Sequence, residues 1–93
     1  MNMTEAQYLV LLTETKGELN TPPGFSEVTL TGFIKAAEFD IRSKVASTID
    51  FEVDLKAREL LKTYIRYSYY GLRDEFKIRY DSEYHELQVD YAK

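Results

Sequence analysis

The sequence predicts an all-α fold, a small helical bundle with a long or kinked C-terminal helix. Three observations carry that prediction. Thr4 followed three residues later by Gln7 has the form of a capping box, which satisfies two of the free amides at a helix start. Leu30, Phe33, Ile34, Ala37, Ile41 and Val45 recur at the spacing of one helix face. Residues 54–91 contain no proline and a single glycine, Gly71.

Each element follows in order. The first helix is expected over about Glu5 to Lys16, with Ala6, Leu9, Val10 and Leu12 as its apolar stripe and Gly17 as its end. Asn20 to Gly24, with Pro22 and Pro23 in succession, cannot be helix interior and reads as a loop. The second helix starts at a cap supplied by Ser26 or Thr29. At ~100° per residue its apolar positions occupy a stripe roughly 120° wide, the pattern of a helix facing a core. Lys35, Glu38, Asp40, Arg42 and Ser43 fall outside the stripe, and Phe39 lies about 180° from Leu30. An exposed phenylalanine there is either incidental or a contact with a neighbouring subunit. Thr48 to Val53, carrying Ile49 and Phe51, is a connection expected to be briefly extended.

A continuous helix from Asp54 to Tyr91 would be ~55 Å long, longer than a globule of this size is wide. Ala57, Leu61, Tyr64, Ile65, Ser68 and Leu72 share one face. Phe76, Tyr80, Tyr84, Leu87 and Tyr91 continue the series, mostly in steps of four that drift ~40° each, so this second stripe points about 100° from the first. Either the helix breaks near Gly71 and folds back, or residues 73–93 leave the bundle as a docking arm.

Composition narrows the function classes. Ninety-three residues make one domain, 1–93, that buries only roughly 60% of its unfolded surface and leaves apolar area for partners. There is no cysteine, hence neither disulfide nor thiolate chemistry, and His85 is the lone histidine. Met1 to Gln7 is polar and acidic where a secretion signal needs a basic segment, and no apolar run nears the ~20 residues that span a bilayer. The expected compartment is the cytoplasm or a particle assembled there. The net charge of −4 is unevenly distributed: residues 1–54 carry −5, residues 55–79 carry +4 and residues 80–93 carry −3. Seven of the eight tyrosines follow Leu61. Tyrosine suits both interfaces and small cores.

No pattern of catalytic or metal-binding chemistry stands out, and no cofactor is expected. The glycines are scattered, one histidine cannot build a metal site, and Ser43, Ser47 and Ser68 lack a neighbouring base. Asp74/Glu75 and Glu83/Glu86 have the spacing of solvated, salt-bridged helix surfaces. The basic run Lys56, Arg58, Lys62, Arg66, Arg73, Lys77 and Arg79 admits either nucleic-acid contact or pairing with Glu59, Asp74, Glu75 and the acidic flanks.

Three segments then carry a resemblance: Gly32-Phe33-Ile34-Lys35-Ala36-Ala37-Glu38-Phe39-Asp40-Ile41, Leu60-Leu61-Lys62-Thr63-Tyr64-Ile65-Arg66-Tyr67 and Phe76 to Leu87. Together they resemble the head–tail connector (adaptor) proteins of long-tailed bacteriophages and related prophage proteins, from roughly Thr4 to Leu87. The resemblance implies a homo-oligomeric ring of about twelve copies beneath the portal protein, in the virion, after assembly in the host cytoplasm. It implies a channel that passes genomic DNA without sequence specificity and a platform for the next connector or stopper protein, with no membrane partner. It also makes Phe76, Tyr80, Tyr84, Leu87 and Tyr91 portal-docking residues. A small phage- or plasmid-encoded regulatory module that binds a host protein is the second function class.

Overall fold

The computed structural model describes residues 3–92, which form a small all-α bundle of five helices. They are α1 (Glu5–Leu19), α2 (Glu27–Lys44), α3 (Leu55–Tyr69), α4 (Arg73–Arg79) and α5 (Asp81–Tyr91).

Helix α1 begins at the expected capping box: the Gln7 amide donates to the Thr4 hydroxyl, and the Thr4 amide donates to the Gln7 side chain at 2.8 Å. Gly17 does not end it. The helix runs on to Leu19 and stops at Asn20, whose left-handed φ of 54° turns the chain so that the Thr21 amide, like that of Asn20, reaches the Lys16 carbonyl. Asparagine tolerates that conformation better than most side chains. The buried face of α1 is also displaced from the expected stripe. Leu11 and Thr15 point inward with Tyr8 and Leu12 beside them, whereas Leu9 and Val10 face out.

Helix α2 is capped by Ser26, and Leu30, Ile34, Ala37 and Ile41 form its core face as the spacing requires. The connection to α3 is a series of turns rather than an extended segment. Hydrogen bonds from Val53 and Asp54 amides to the Asp50 carbonyl hold it, and it drives Ile49 and Phe51 into the core. Asp54 then caps α3, its Oδ1 accepting from the Ala57 amide at 3.0 Å. Helix α3 packs on α2 and buries Ala57, Leu60, Leu61, Tyr64 and Ile65 in the core.

The long C-terminal segment breaks twice. Gly71, at φ 73°, ends α3. The Leu72 amide bonds the Tyr67 carbonyl at 2.7 Å and the Gly71 amide bonds the Ser68 carbonyl at 3.1 Å, the paired bonds of a glycine C-cap. Tyr80, at φ −111° and ψ 14°, is both the end of α4 and the start of α5. The chain therefore folds back. Helix α4 packs on α3, and α5 returns to α2.

Candidate protein-interaction surfaces

The residues expected to dock on the portal divide sharply. Phe39 is 76% exposed on the back of α2. Phe76 and Leu87 are each only 1% exposed and Tyr84 6%, in the same core as Leu61 and Ile65; Tyr80 and Tyr91 are half-buried against it. The assignment of Phe76, Tyr84 and Leu87 to a docking arm is thus corrected. The ~100° offset between the two stripes assumed one uninterrupted helix. The breaks at Gly71 and Tyr80 reorient the second stripe onto the bundle.

Phe76 sits at the centre of an aromatic cluster. Its ring lies 5.0 Å from that of Tyr64, edge to face, and 5.1 Å from that of Tyr80, stacked. Two tyrosines fasten α5. The Tyr84 hydroxyl donates to Asp40 Oδ2 at 2.5 Å, and the Tyr91 hydroxyl donates to Asp54 Oδ2 at 2.5 Å. Burial, then the hydrogen bond to a carboxylate that a tyrosinate would repel, drives the Tyr84 phenol far above its usual range. The same two causes push Tyr91 up to about 12.

The N-terminal part of the basic run, Lys56, Arg58 and Lys62, is neutralised within the chain. Arg58 reaches Glu14 at 2.7 Å, and Lys62 bridges Glu14 and Glu18, both at 2.8 Å. Their hydrogen bonds hold the Glu14 carboxyl below its usual range. Lys56 pairs with Glu86 and Asp90 of α5. The acids recruited are those of α1 and α5, not Glu59, Asp74 or Glu75. Arg66, Arg73, Lys77 and Arg79 make no ion pair with another described residue, although Arg73 donates to the Ser68 hydroxyl at 3.0 Å.

Sequence reasoning missed Glu38. It lies about 80° from Leu30 on the α2 wheel, just outside the apolar stripe, yet it is buried. The Met3 amide donates to its Oε2 at 2.9 Å and the Tyr8 hydroxyl to its Oε1. Arg42 Nε stands 3.3 Å away as the ionic partner, too poorly aligned for a hydrogen bond, while its Nη1 donates to the Ser47 carbonyl at 3.1 Å. The Arg42 guanidinium also covers the Phe51 ring, 5.4 Å from its centroid. Burial and Glu38 together push the Tyr8 phenol up to about 12. The only sequence signal was the i, i+4 spacing of Glu38 and Arg42; their remaining partners are Met3 ahead of α1, Tyr8 of α1 and the α2–α3 turns.

Two grooves meet at Met3 and Arg42. One, of about 640 Å³, runs between α1 and α2 and is rimmed by Phe39, Lys35 and Ser43. The other, of about 390 Å³, lies under the α2–α3 turns and includes Val10 and Phe51. Open grooves whose walls mix apolar and charged side chains suit protein contact more than small-molecule chemistry. Among the described residues no cluster of three or more His, Asp or Glu side chains is arranged around a metal position, and no helix is long and apolar enough to cross a membrane. Compared with models of protein families, with curated proteins and with solved structures, the chain matches none.

Proposed function

We propose that the chain is a structural subunit of a phage head–tail connector, one of about twelve copies in a ring beneath the portal. In that role it joins head to tail, extends the DNA channel and offers a platform to the next connector or stopper protein. The observation that carries the reading is Phe39. A large aromatic ring is left in solvent on the back of the helix whose front supplies the core, at the edge of the 640 Å³ groove. Aromatic side chains at the mouth of a groove are the residues on which protein partners most often anchor. The family resemblance of the three helical segments supports the more specific form, and a helical bundle is the fold it implies. The portal contact is assigned to the Phe39 surface, since α5 spends its apolar face on its own bundle.

Co-sedimentation with a portal ring is the test. The wild-type chain should be captured, and Phe39→Ala should weaken capture about tenfold or more. Because Phe39 is outside the core, the same variant should unfold within about 0.5 kcal/mol of the wild type. A chain that no portal ring captures, but that binds a cytoplasmic protein through Phe39, is instead a regulatory module.

A further inference from the structure

The outer face of α3 is exposed and carries two charges of opposite sign without an ionic partner among the described residues. At ~100° per residue Leu55, Glu59, Arg66 and Tyr70 lie within about 60° of one another, on one side of the helix. All four are exposed, Leu55 by 69% and Tyr70 by 60%. Neither the Glu59 carboxylate nor the Arg66 guanidinium makes an ion pair with another described residue. The other bases near this face are already paired, Lys62 with Glu14 and Glu18, and Lys56 with Glu86 and Asp90.

The spacing is symmetric. Leu55 precedes Glu59 by four residues, and Arg66 precedes Tyr70 by four. A twofold axis between Lys62 and Thr63 therefore exchanges Leu55 with Tyr70 and Glu59 with Arg66. We propose that two copies pair through antiparallel α3 helices, each setting its Glu59 against the partner's Arg66 and its Leu55 beside the partner's Tyr70. Every contact is made twice, as a closed twofold interface requires. A seat for Leu55 is present: Arg66, Tyr67, Tyr70 and Leu72, with Glu75 and Arg79 at its margin, line a groove of about 330 Å³. Parallel pairing would set Glu59 against Glu59 and Arg66 against Arg66, so the charges also select direction. A closed pair cannot be a ring contact. The dimer is a state of the chain away from the portal, independent of the ring reading.

Sedimentation equilibrium should find a dimer with a dissociation constant of roughly 10–100 μM, weakened by salt. Glu59→Arg and Arg66→Glu should each weaken it about tenfold, and the double variant should restore it, since reversed charges again face each other. The chain has no cysteine. Oxidising a mixture of Leu55→Cys and Tyr70→Cys chains should therefore give the mixed disulfide in preference to either homodimer. A chain monomeric up to about 1 mM, a dimer indifferent to both charge reversals, or Leu55→Cys homodimers as the main product would each overturn the proposal. Capture of the charge-reversed chains by a portal ring reports separately on the ring reading.

Discussion

The Tyr84 hydroxyl and the Asp40 carboxylate, 44 residues apart, meet at 2.5 Å and join α5 to α2. Lys44 completes the join, 3.2 Å from Asp40 Oδ1 and 5.0 Å from the centroid of the Tyr84 ring. Tyr84→Phe keeps the ring and removes one charge-assisted bond, so it should cost about 1–2 kcal/mol in urea unfolding. Leu87→Ala should cost more, about 2–4 kcal/mol, because it opens a cavity in a fully buried site. If neither variant shifts the midpoint, α5 is not part of the cooperative core.

Truncation after Leu72 follows from the same packing. A detachable arm would leave a folded remainder. Here the cut removes Phe76, Tyr84 and Leu87 from the core and exposes the face of Tyr64 that Phe76 covers. The expected product is an expanded chain with helical circular dichroism but no cooperative thermal transition.

Gly71 isolates a backbone effect. Its φ of 73° is in the left-handed region, and apart from its two chain neighbours no residue has an atom within 4 Å of the place a Cβ would occupy. Gly71→Ala should thus cost about 1–2 kcal/mol from conformation alone, and Gly71→Asn less, since asparagine enters this region more readily. A steric account would predict the opposite order.

How far the residues foretold this architecture depended on the range of the interactions involved. The cap at Thr4 acts within three residues and the α2 stripe needs only helical periodicity, so both were legible; the sequence narrows the α2 cap to Ser26 or Thr29, and marks Asp54 as the start of a helix without its capping bond. The inward face of α1 was not, because Leu9 and Val10 outrank Thr15 in hydrophobicity yet point outward, and Thr15 is buried with its hydroxyl bonded to the Leu11 carbonyl at 2.8 Å. The break at Tyr80 has neither glycine nor proline to announce it. It accompanies the stacking of Tyr80 on Phe76 and its edge contact with Tyr67, at centroid distances of 5.1 and 5.6 Å. Of the six expected interface residues, Phe39 is the one whose full exposure could be read from the wheel, since it stands opposite the stripe that is buried.

Alkaline pH should unfasten the bundle. The tyrosine phenol titrates near 10 in an unfolded chain, whereas Tyr8 and Tyr91 are pushed up to about 12 and Tyr84 further. Above pH 10 the unfolded state therefore binds fewer protons than the folded state, and stability falls as pH rises. The contribution is intact below pH 10 and is lost between 10 and about 12 for Tyr8 and Tyr91, with Tyr84 continuing the loss beyond. Alkaline unfolding followed by circular dichroism should coincide with late ionisation of part of the tyrosine absorbance. In the Tyr8→Phe, Tyr84→Phe, Tyr91→Phe triple variant that pH-linked loss should flatten.

Glu38 and Arg42 provide the most severe single substitution. The carboxylate is almost fully buried and accepts from the Met3 amide and the Tyr8 hydroxyl, while the Arg42 side chain, 11% exposed, lies against it. Glu38→Ala would leave a cation in a nearly dry site and strand both donors, at about 3–5 kcal/mol. That is a large share of the roughly 5–10 kcal/mol expected for a domain of this length, so the variant should melt about 10–40 °C lower than the wild type. Glu38→Gln keeps the volume and an acceptor for Tyr8 but loses the charge, and should fall between Ala and the wild type. Replacing both partners, as Glu38→Met with Arg42→Met, should recover most of the loss, because two apolar side chains of similar length need no counterion. If the double variant is no better than Glu38→Ala alone, the principal role of Arg42 is its cover of the Phe51 ring and its bond to the Ser47 carbonyl rather than its charge.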